Sequence, residues 1–383
     1  MNSISTTIPA DPAELSPGWL TAALRDEGAI RTSAITKLTT EIIGADRGFT
    51  GVVARVVLAY DEPEPGAPAT LVAKFPLVHH AGSSYRTAQQ ASPDLAQRYF
   101  ERCAREARFY REIAEGRDPD PKLYGAWADL NTQRLLLLLE DISDGDPGDA
   151  LLGCSIDQAA LVVERLAPFH ARWWRPADQP AFAWLPRWGS EPRARATRFQ
   201  GQLESVLDRY RDRIPASAAD VSRTLAGRYE LILRALDQRP TTVIHGDLHL
   251  DNLIFTGGDG VALIDWQGVG VGPAIVDLGL FIVGALSVDD RRTAEMDLLA
   301  RYHAVLAGHG VRGYSLADLV ADYHRSLVLQ LAGIVGWLAR VDPASLEGRE
   351  RALVDALFTP GQVFAACADH SEGVAALVNA AGK

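Results

Sequence analysis

The chain has 383 residues, 47% of them hydrophobic and 23% charged, with a formal net charge of −11. So long a chain outgrows one core of typical size and predicts two lobes. The acidic balance argues against a general nucleic-acid binder, which needs a basic face to displace counterions from phosphates; it suits ordinary solubility, and is compatible with a cationic acceptor.

Ser16-Pro17 opens a helix with Trp19, Leu20 and Leu24 on one face, ending near Gly28; a capping serine followed by proline is a normal start signal. Strands are predicted over Ile35 to Ile43 and Val52 to Tyr60, joined by a turn that carries Gly44, Gly48 and Gly51. The Pro/Gly-rich tip Asp61 to Pro68 makes the next turn, and Thr70 to Pro76 is a third strand containing Lys74. Residues 93 to 115 read as a helix, with Tyr99, Cys103, Ala107, Tyr110 and Ala114 at three- to four-residue spacing. A buried strand, Arg134 to Leu139, ends at Glu140-Asp141. Beyond it, residues 155–235 and 290–380 are mostly helical patterns, interrupted by a strand pair between 241 and 265. A small strand-rich lobe over residues 1–139 is thus followed by a larger helical lobe over 140–383, with a helical insertion at about 155–235, an α+β architecture.

Cys103, Cys154 and Cys367 lie far apart without a C-x-x-C pair, which argues against a disulfide framework or a cysteine zinc site and suits a reducing cytoplasm. The opening residues MNSISTTIPADPAEL have neither a basic start nor an apolar core, so no secretory signal is expected. The apolar stretches Leu135 to Leu139 and Leu278 to Leu286 fall well short of the ~20 residues that cross a bilayer, so no membrane partner is expected either.

The chemistry is concentrated between Val243 and Gln267. Leu253 to Phe255 and Val261 to Ile264 read as two strands around the turn Gly257-Gly-Asp-Gly260, symmetric about residues 258 and 259. That register sets Asn252 opposite Asp265, where paired residues of antiparallel strands lie about 4.5–5.5 Å apart. An amide oxygen and a carboxylate at that separation can share a hard cation such as magnesium. Asp247, five residues before Asn252, projects from the loop that enters the hairpin. In-line phosphoryl transfer needs these parts: a metal to neutralise phosphate charge and an aspartate to take or orient the acceptor proton. Asp-x-x-x-x-Asn followed by Ile-Asp after a hairpin matches the kinase catalytic loop and metal aspartate, with His245 as a structural histidine. Lys74, in Leu71-Val-Ala-Lys-Phe, is placed to reach the α- and β-phosphates of ATP, and Glu106 is its expected ion-pair partner, with Glu101 and Glu112 as alternatives. The Gly44–Gly51 turn would bring bare backbone amides over the phosphates, and the backbone of Glu140, Asp141 and Ile142 would read adenine. Whether ATP or GTP is preferred is left open by these residues.

These motifs resemble the aminoglycoside phosphotransferase and choline kinase superfamily, and more narrowly its ecdysteroid-kinase-like branch. The residues that carry the resemblance are His245-Gly-Asp-Leu-His-Leu-Asp-Asn252, Leu263-Ile-Asp-Trp-Gln267, Gly272-Pro273 with Asp277-Leu278, Leu138-Leu-Glu-Asp141, Arg105-Glu-Ala-Arg-Phe-Tyr110 and Leu166-Ala-Pro-Phe-His-Ala171. The resemblance implies a protein-kinase-like bilobal fold and a kinase using ATP and Mg2+. The branch implies a hydroxylated, apolar or steroid-like acceptor, and the wider superfamily aminoglycosides, amino sugars or choline. Two departures from protein kinases matter. Gly246 stands where they carry arginine, and Asp277, the expected brace of the catalytic loop, follows Asp265 by only twelve residues. No room remains for an activation segment, so a small-molecule acceptor is expected and a protein substrate is not.

Two other readings stand beside this one. His245, Asp247 and His249 could form a metal-ligand cluster of a hydrolase, although His79, His80, His170, His303, His309, His324 and His370 form no second motif. A kinase-fold binding protein that has lost catalysis is the other, against which Lys74, Asp247, Asn252 and Asp265 are all present. Trp173, Trp174, Trp184 and Trp188 read as packing, or as the wall of an acceptor pocket.

Overall fold

The computed structural model describes residues 7–44, 51–76, 93–114, 121–175, 180–257, 260–342, 344, 346–358, 362–374 and 376. The chain divides into two compact units, Met1–Asp146 with Ala262–Gly268, and Pro147–Val261 with Val269–Lys383.

In the first unit, α1 (Pro17–Asp26) starts where Ser16 caps it, its hydroxyl accepting from the Trp19 amide at 3.2 Å. The strands β1 (Ile35–Ile43), β2 (Gly51–Tyr60), β3 (Thr70–Pro76), β4 (Leu123–Asp129) and β5 (Arg134–Glu140) form one antiparallel sheet in the order β1-β2-β3-β5-β4. Trp19, Leu20 and Leu24 of α1 join Val56, Leu71, Ala73, Phe75, Leu136 and Leu138 in the core. Each buried Val, Leu or Phe among them contributes roughly 1.5–3 kcal/mol by leaving water. Because side chains alternate along a strand, burying Leu71, Ala73 and Phe75 on the α1 face turns Lys74 to the other face. Lys74 is also central, registered with Val53 on one side and Leu137 on the other. That second face carries α2 (Pro93–Phe109), which continues as a π-turn over Tyr110–Ala114.

β4 was not anticipated. Its sequence Leu-Tyr-Gly-Ala-Trp-Ala-Asp is diluted by Gly and Ala, which weaken the strand signal. The turn after it is the readable mark: the two Asp129 carboxylate oxygens accept from the Asn131 amide at 2.9 Å and the Thr132 hydroxyl at 2.6 Å.

The second unit is mainly helical. It contains α3 (Ile156–Arg172), α4 (Pro192–Arg209), α5 (Ala216–Ala226), α6 (Tyr229–Asp237), α7 (Ile275–Ala285), α8 (Val288–Gly308), α9 (Leu316–Leu338), α10 (Gly348–Phe358) and α11 (Gln362–Asp369). Helix α7 is apolar almost all round and accordingly sits in the core, with Ile275, Leu278, Phe281 and Ile282 fully buried. At Gly279 it runs so close to α9 that an added Cβ would collide with the Ser326 hydroxyl. Strand β6 (Thr242–Ile244) pairs antiparallel with β9 (Gly270–Gly272), and Arg187 of the predicted insertion adds a parallel bridge to Val271. The expected hairpin strands are β7 (Leu253–Thr256) and β8 (Gly260–Leu263).

Candidate active site

In the first unit three charged side chains meet. Lys74 Nζ donates to Glu106 Oε2 at 2.7 Å, to Glu106 Oε1 at 3.0 Å and to Asp265 Oδ1 at 2.8 Å. Burial alone would lower the ammonium's pKa, but the Asp265 and then the Glu106 carboxylate raise it well above the ordinary lysine value, so Lys74 is charged. Burial pushes the Glu106 carboxyl upward, with Lys74 drawing it the other way. Of the three glutamates weighed on α2 and its π-turn, only Glu106 meets the lysine; Glu101 accepts from Gln97 and Glu112 from Arg108.

Glu106 also fixes the backbone beside Asp265. Its Oε1 accepts from the Trp266 amide at 3.1 Å, the Trp266 ring stacks on Phe109 at 4.3 Å, and Arg105 donates to the Gln267 carbonyl at 3.4 Å. Asp265 itself has φ of 63°, a left-handed conformation uncommon outside glycine. Three contacts from α2 therefore hold a strained turn that aims the Asp265 carboxylate at Lys74.

In the second unit Asp277 braces the loop that carries Asp247. Fully buried on α7, it accepts from the His245 amide at 2.6 Å and the Gly246 amide at 2.8 Å, one on each oxygen. Gly246 has φ of 78°, which a side chain would disfavour. His170, also fully buried, lies with Nε2 3.2 Å from Asp277 Oδ2 and Nδ1 2.7 Å from the Tyr302 hydroxyl. It is a packed helix histidine, as its place in the helical pattern suggests, and its contact with Asp277 adds a bracing role that the sequence did not reveal.

Past Asp247 the loop closes on itself. The Asp247 carbonyl accepts from the His249 amide at 3.1 Å and from Asn252 Nδ2 at 2.8 Å. Asn252 Nδ2 also lies 3.2 Å from His249 Nε2, so its amide nitrogen is engaged and its oxygen is the end suited to a hard cation. The Asp247 side chain is 45% exposed, while His245 is fully buried. Among the described residues no group of three His, Cys, Asp or Glu side chains is placed to hold a metal ion.

Of the remaining sequence candidates, Gly44 has φ of 63°, and Gly51 starts β2 where a Cβ would stand 2.8 Å from the Phe75 carbonyl oxygen. Gly48 lies outside the described residues. Glu140 ends β5, its carboxylate accepting from the Lys122 amide at 3.2 Å. Asp141 accepts from Arg55 Nε at 3.1 Å and from the Ser143 amide at 3.2 Å, which ties the stretch through Ile142 to the sheet. Trp173 lies edge-on to Phe182, Trp174 against Tyr314, and Trp188 beneath Arg195 and against Gly272. No helix among the described residues is long and apolar enough to cross a membrane.

A five-stranded sheet bearing a Lys–Glu pair, followed by a helical unit with a braced Asp-bearing loop, defines the kinase-like fold. Solved structures that share it include the following two. Choline kinase from Cryptosporidium parvum Iowa II superposes with a TM-score of 0.55 at 12% identity, covering 96% of each chain. A protein of Ralstonia eutropha JMP134, provisionally called an aminoglycoside phosphotransferase, gives 0.54 at 18% identity, covering 93% of this chain and 97% of its own. No curated protein sequence matches. Residues 66–320 match the phosphotransferase enzyme family APH, and the chain belongs to that family.

Proposed function

We propose that the chain moves the γ-phosphoryl group of ATP onto a hydroxyl or amine of a small-molecule acceptor in the cytoplasm. The observation that carries this reading is the placement of Lys74 between Glu106 and Asp265 at 2.7 and 2.8 Å. A charged lysine held by one buried carboxylate is suited to the α- and β-phosphates, and the adjoining Asp265 to a metal on the phosphates. In this proposal residues 1–139 form the nucleotide lobe and 140–383 the catalytic and acceptor lobe. The Gly44–Gly51 turn covers the phosphates, and adenine is read by the backbone at Glu140, Asp141 and Ile142.

Asn252 and Asp265 are the residues that would hold magnesium; both offer oxygen, the donor that this ion takes. When bound, it would neutralise charge on the phosphates. Asp247, partly exposed on a loop fixed by Asp277, orients the acceptor and takes its proton. The acceptor oxygen then bonds to the γ-phosphorus as the bond to the β–γ bridging oxygen breaks, and ADP leaves.

A small acceptor is supported by the chain after Asp265. A turn at Trp266–Gly268 and strand β9 occupy the path to α7, so no activation segment or peptide platform is built there. Kinship with the ecdysteroid-kinase-like branch belongs to the same proposal and favours a hydroxylated apolar compound.

The test is thermal stability with ATP or GTP, each with magnesium and with EDTA, followed by an ADP-release screen of hydroxylated and amino compounds. A ligand that binds only the folded state must raise Tm. A magnesium-dependent rise is expected. No rise with either nucleotide, together with stabilisation by zinc or manganese alone, would favour the hydrolase.

A further inference from the structure

The loop from Asp247 to Asn252 is held from a second side, by residues 148–151 and by Arg349, which lies outside the part of the chain matched to the family. Arg349, at the start of α10, is 11% exposed at its side chain. Its Nη1 and Nη2 donate to the two oxygens of Asp149 at 3.1 and 2.8 Å, a forked pair. Nη2 also donates to Asp251 Oδ1 at 2.7 Å, and Asp251 is the residue before Asn252. The same Asp251 oxygen accepts from the Ala150 amide at 3.0 Å. Alongside, the Gly148 amide donates to the Leu253 carbonyl at 2.9 Å, and a Cβ at Gly148 would collide with the Leu250 carbonyl oxygen. Residues 148–151 thus lie against residues 250–253, backbone to backbone, and one guanidinium locks the two segments together.

We infer that Arg349 is a positioning residue for the Asp247–Asn252 loop, so that helix α10 governs how firmly the phosphate and metal machinery is set. The physical argument is charge and geometry. Asp149 and Asp251, with side chains 13% and 8% exposed, share this cation, and a planar fork fixes direction as well as distance. Without it, two carboxylates side by side would repel and the segment would loosen where Asn252 begins. The role in transfer rests on the phosphotransferase reading, whereas the mechanical role does not.

Hydrogen exchange of the full chain separates the two. In Arg349→Ala, amides 247–253 should exchange at least about tenfold faster, while those of β2 and β3 keep wild-type rates. The magnesium concentration for half-maximal stabilisation by ATP should rise about tenfold in the same variant and much less in Arg349→Lys, which keeps the charge. A merely structural role would lower Tm equally with and without magnesium and ATP. If Arg349→Ala does not fold, Asp251→Asn serves, since Arg349 keeps Asp149; amides 247–253 should again exchange faster. Unchanged exchange there in every folded variant overturns the inference. A wild-type protein that shows no magnesium-dependent response to ATP sinks the transfer reading, and the exchange result then decides the mechanical role by itself.

Discussion

Lys74 donates to Asp265 at 2.8 Å, joining a residue in the middle of a sheet to one 191 positions later in the chain. With Glu106 as the third member, only 2% exposed at its side chain, the cluster is sensitive to removal of its single cation. Lys74→Ala should cost about 3–5 kcal/mol, because Glu106 is left buried without its partner. Lys74→Met combined with Glu106→Gln should recover much of that loss while binding no nucleotide. Urea unfolding and ATP-dependent Tm shifts check both expectations.

The Asp247 side chain is 45% exposed, with its Oδ1 3.9 Å from His249 Nε2. Asp247→Ala should leave the chain folded, with a cost of about 1 kcal/mol or less, as for a half-exposed charged side chain. Turnover, read as ADP release with an acceptor found by the screen, should fall about a hundredfold to ten-thousandfold, with nucleotide binding retained. Near-normal turnover would remove Asp247 from its role as base.

Asp277 behaves in the opposite way. Its buried carboxylate accepts two backbone amides and lies beside His170, so Asp277→Ala strands donors at the centre of the second unit. A loss of about 3 kcal/mol or more is expected in urea unfolding, accompanied by loss of turnover. Stability equal to wild type would show that the brace is dispensable.

Glu64 supplies a pH signature in the first unit. Its carboxylate accepts from the amides of Arg31, Thr32 and Ser33, and these bonds, that of Ser33 foremost, hold its pKa down to about 2. A depressed carboxylate stabilises the fold above its unfolded value of 4.5, and that contribution is lost as pH falls from there through about 2. Glu64→Gln should therefore flatten the acid side of the stability profile between those limits. An unchanged slope, followed by Tm against pH, would contradict the assignment.

The legible parts of the site were local in sequence. His245 to Asn252 is one continuous motif, and strand alternation was enough to turn Lys74 away from the core. Glu106 was expected ahead of Glu101 and Glu112 as the partner of Lys74, and the two do meet, but helical pattern contributes little to that order. Those positions point to different faces of a helix, and the phase is set by tertiary packing onto the sheet. The left-handed backbone at Asp265 left no mark, since an aspartate is there for its carboxylate whatever its φ. His170 joined Asp277 across 107 residues, and Arg349 met Asp251 across 98. Such pairs carry no periodicity, so only the folded chain brings them into view.

The close approach of α7 to α9 sets a limit on engineering this protein for heat tolerance. Replacing a helical glycine by alanine is a routine stabilising step, worth up to about 1 kcal/mol. At Gly279 that step is closed, because the new methyl would push Ser326 and part the two helices. Five residues on, at Gly284, the added carbon meets nothing within 4 Å. The same helix thus offers one glycine to a thermostability screen and withholds the other.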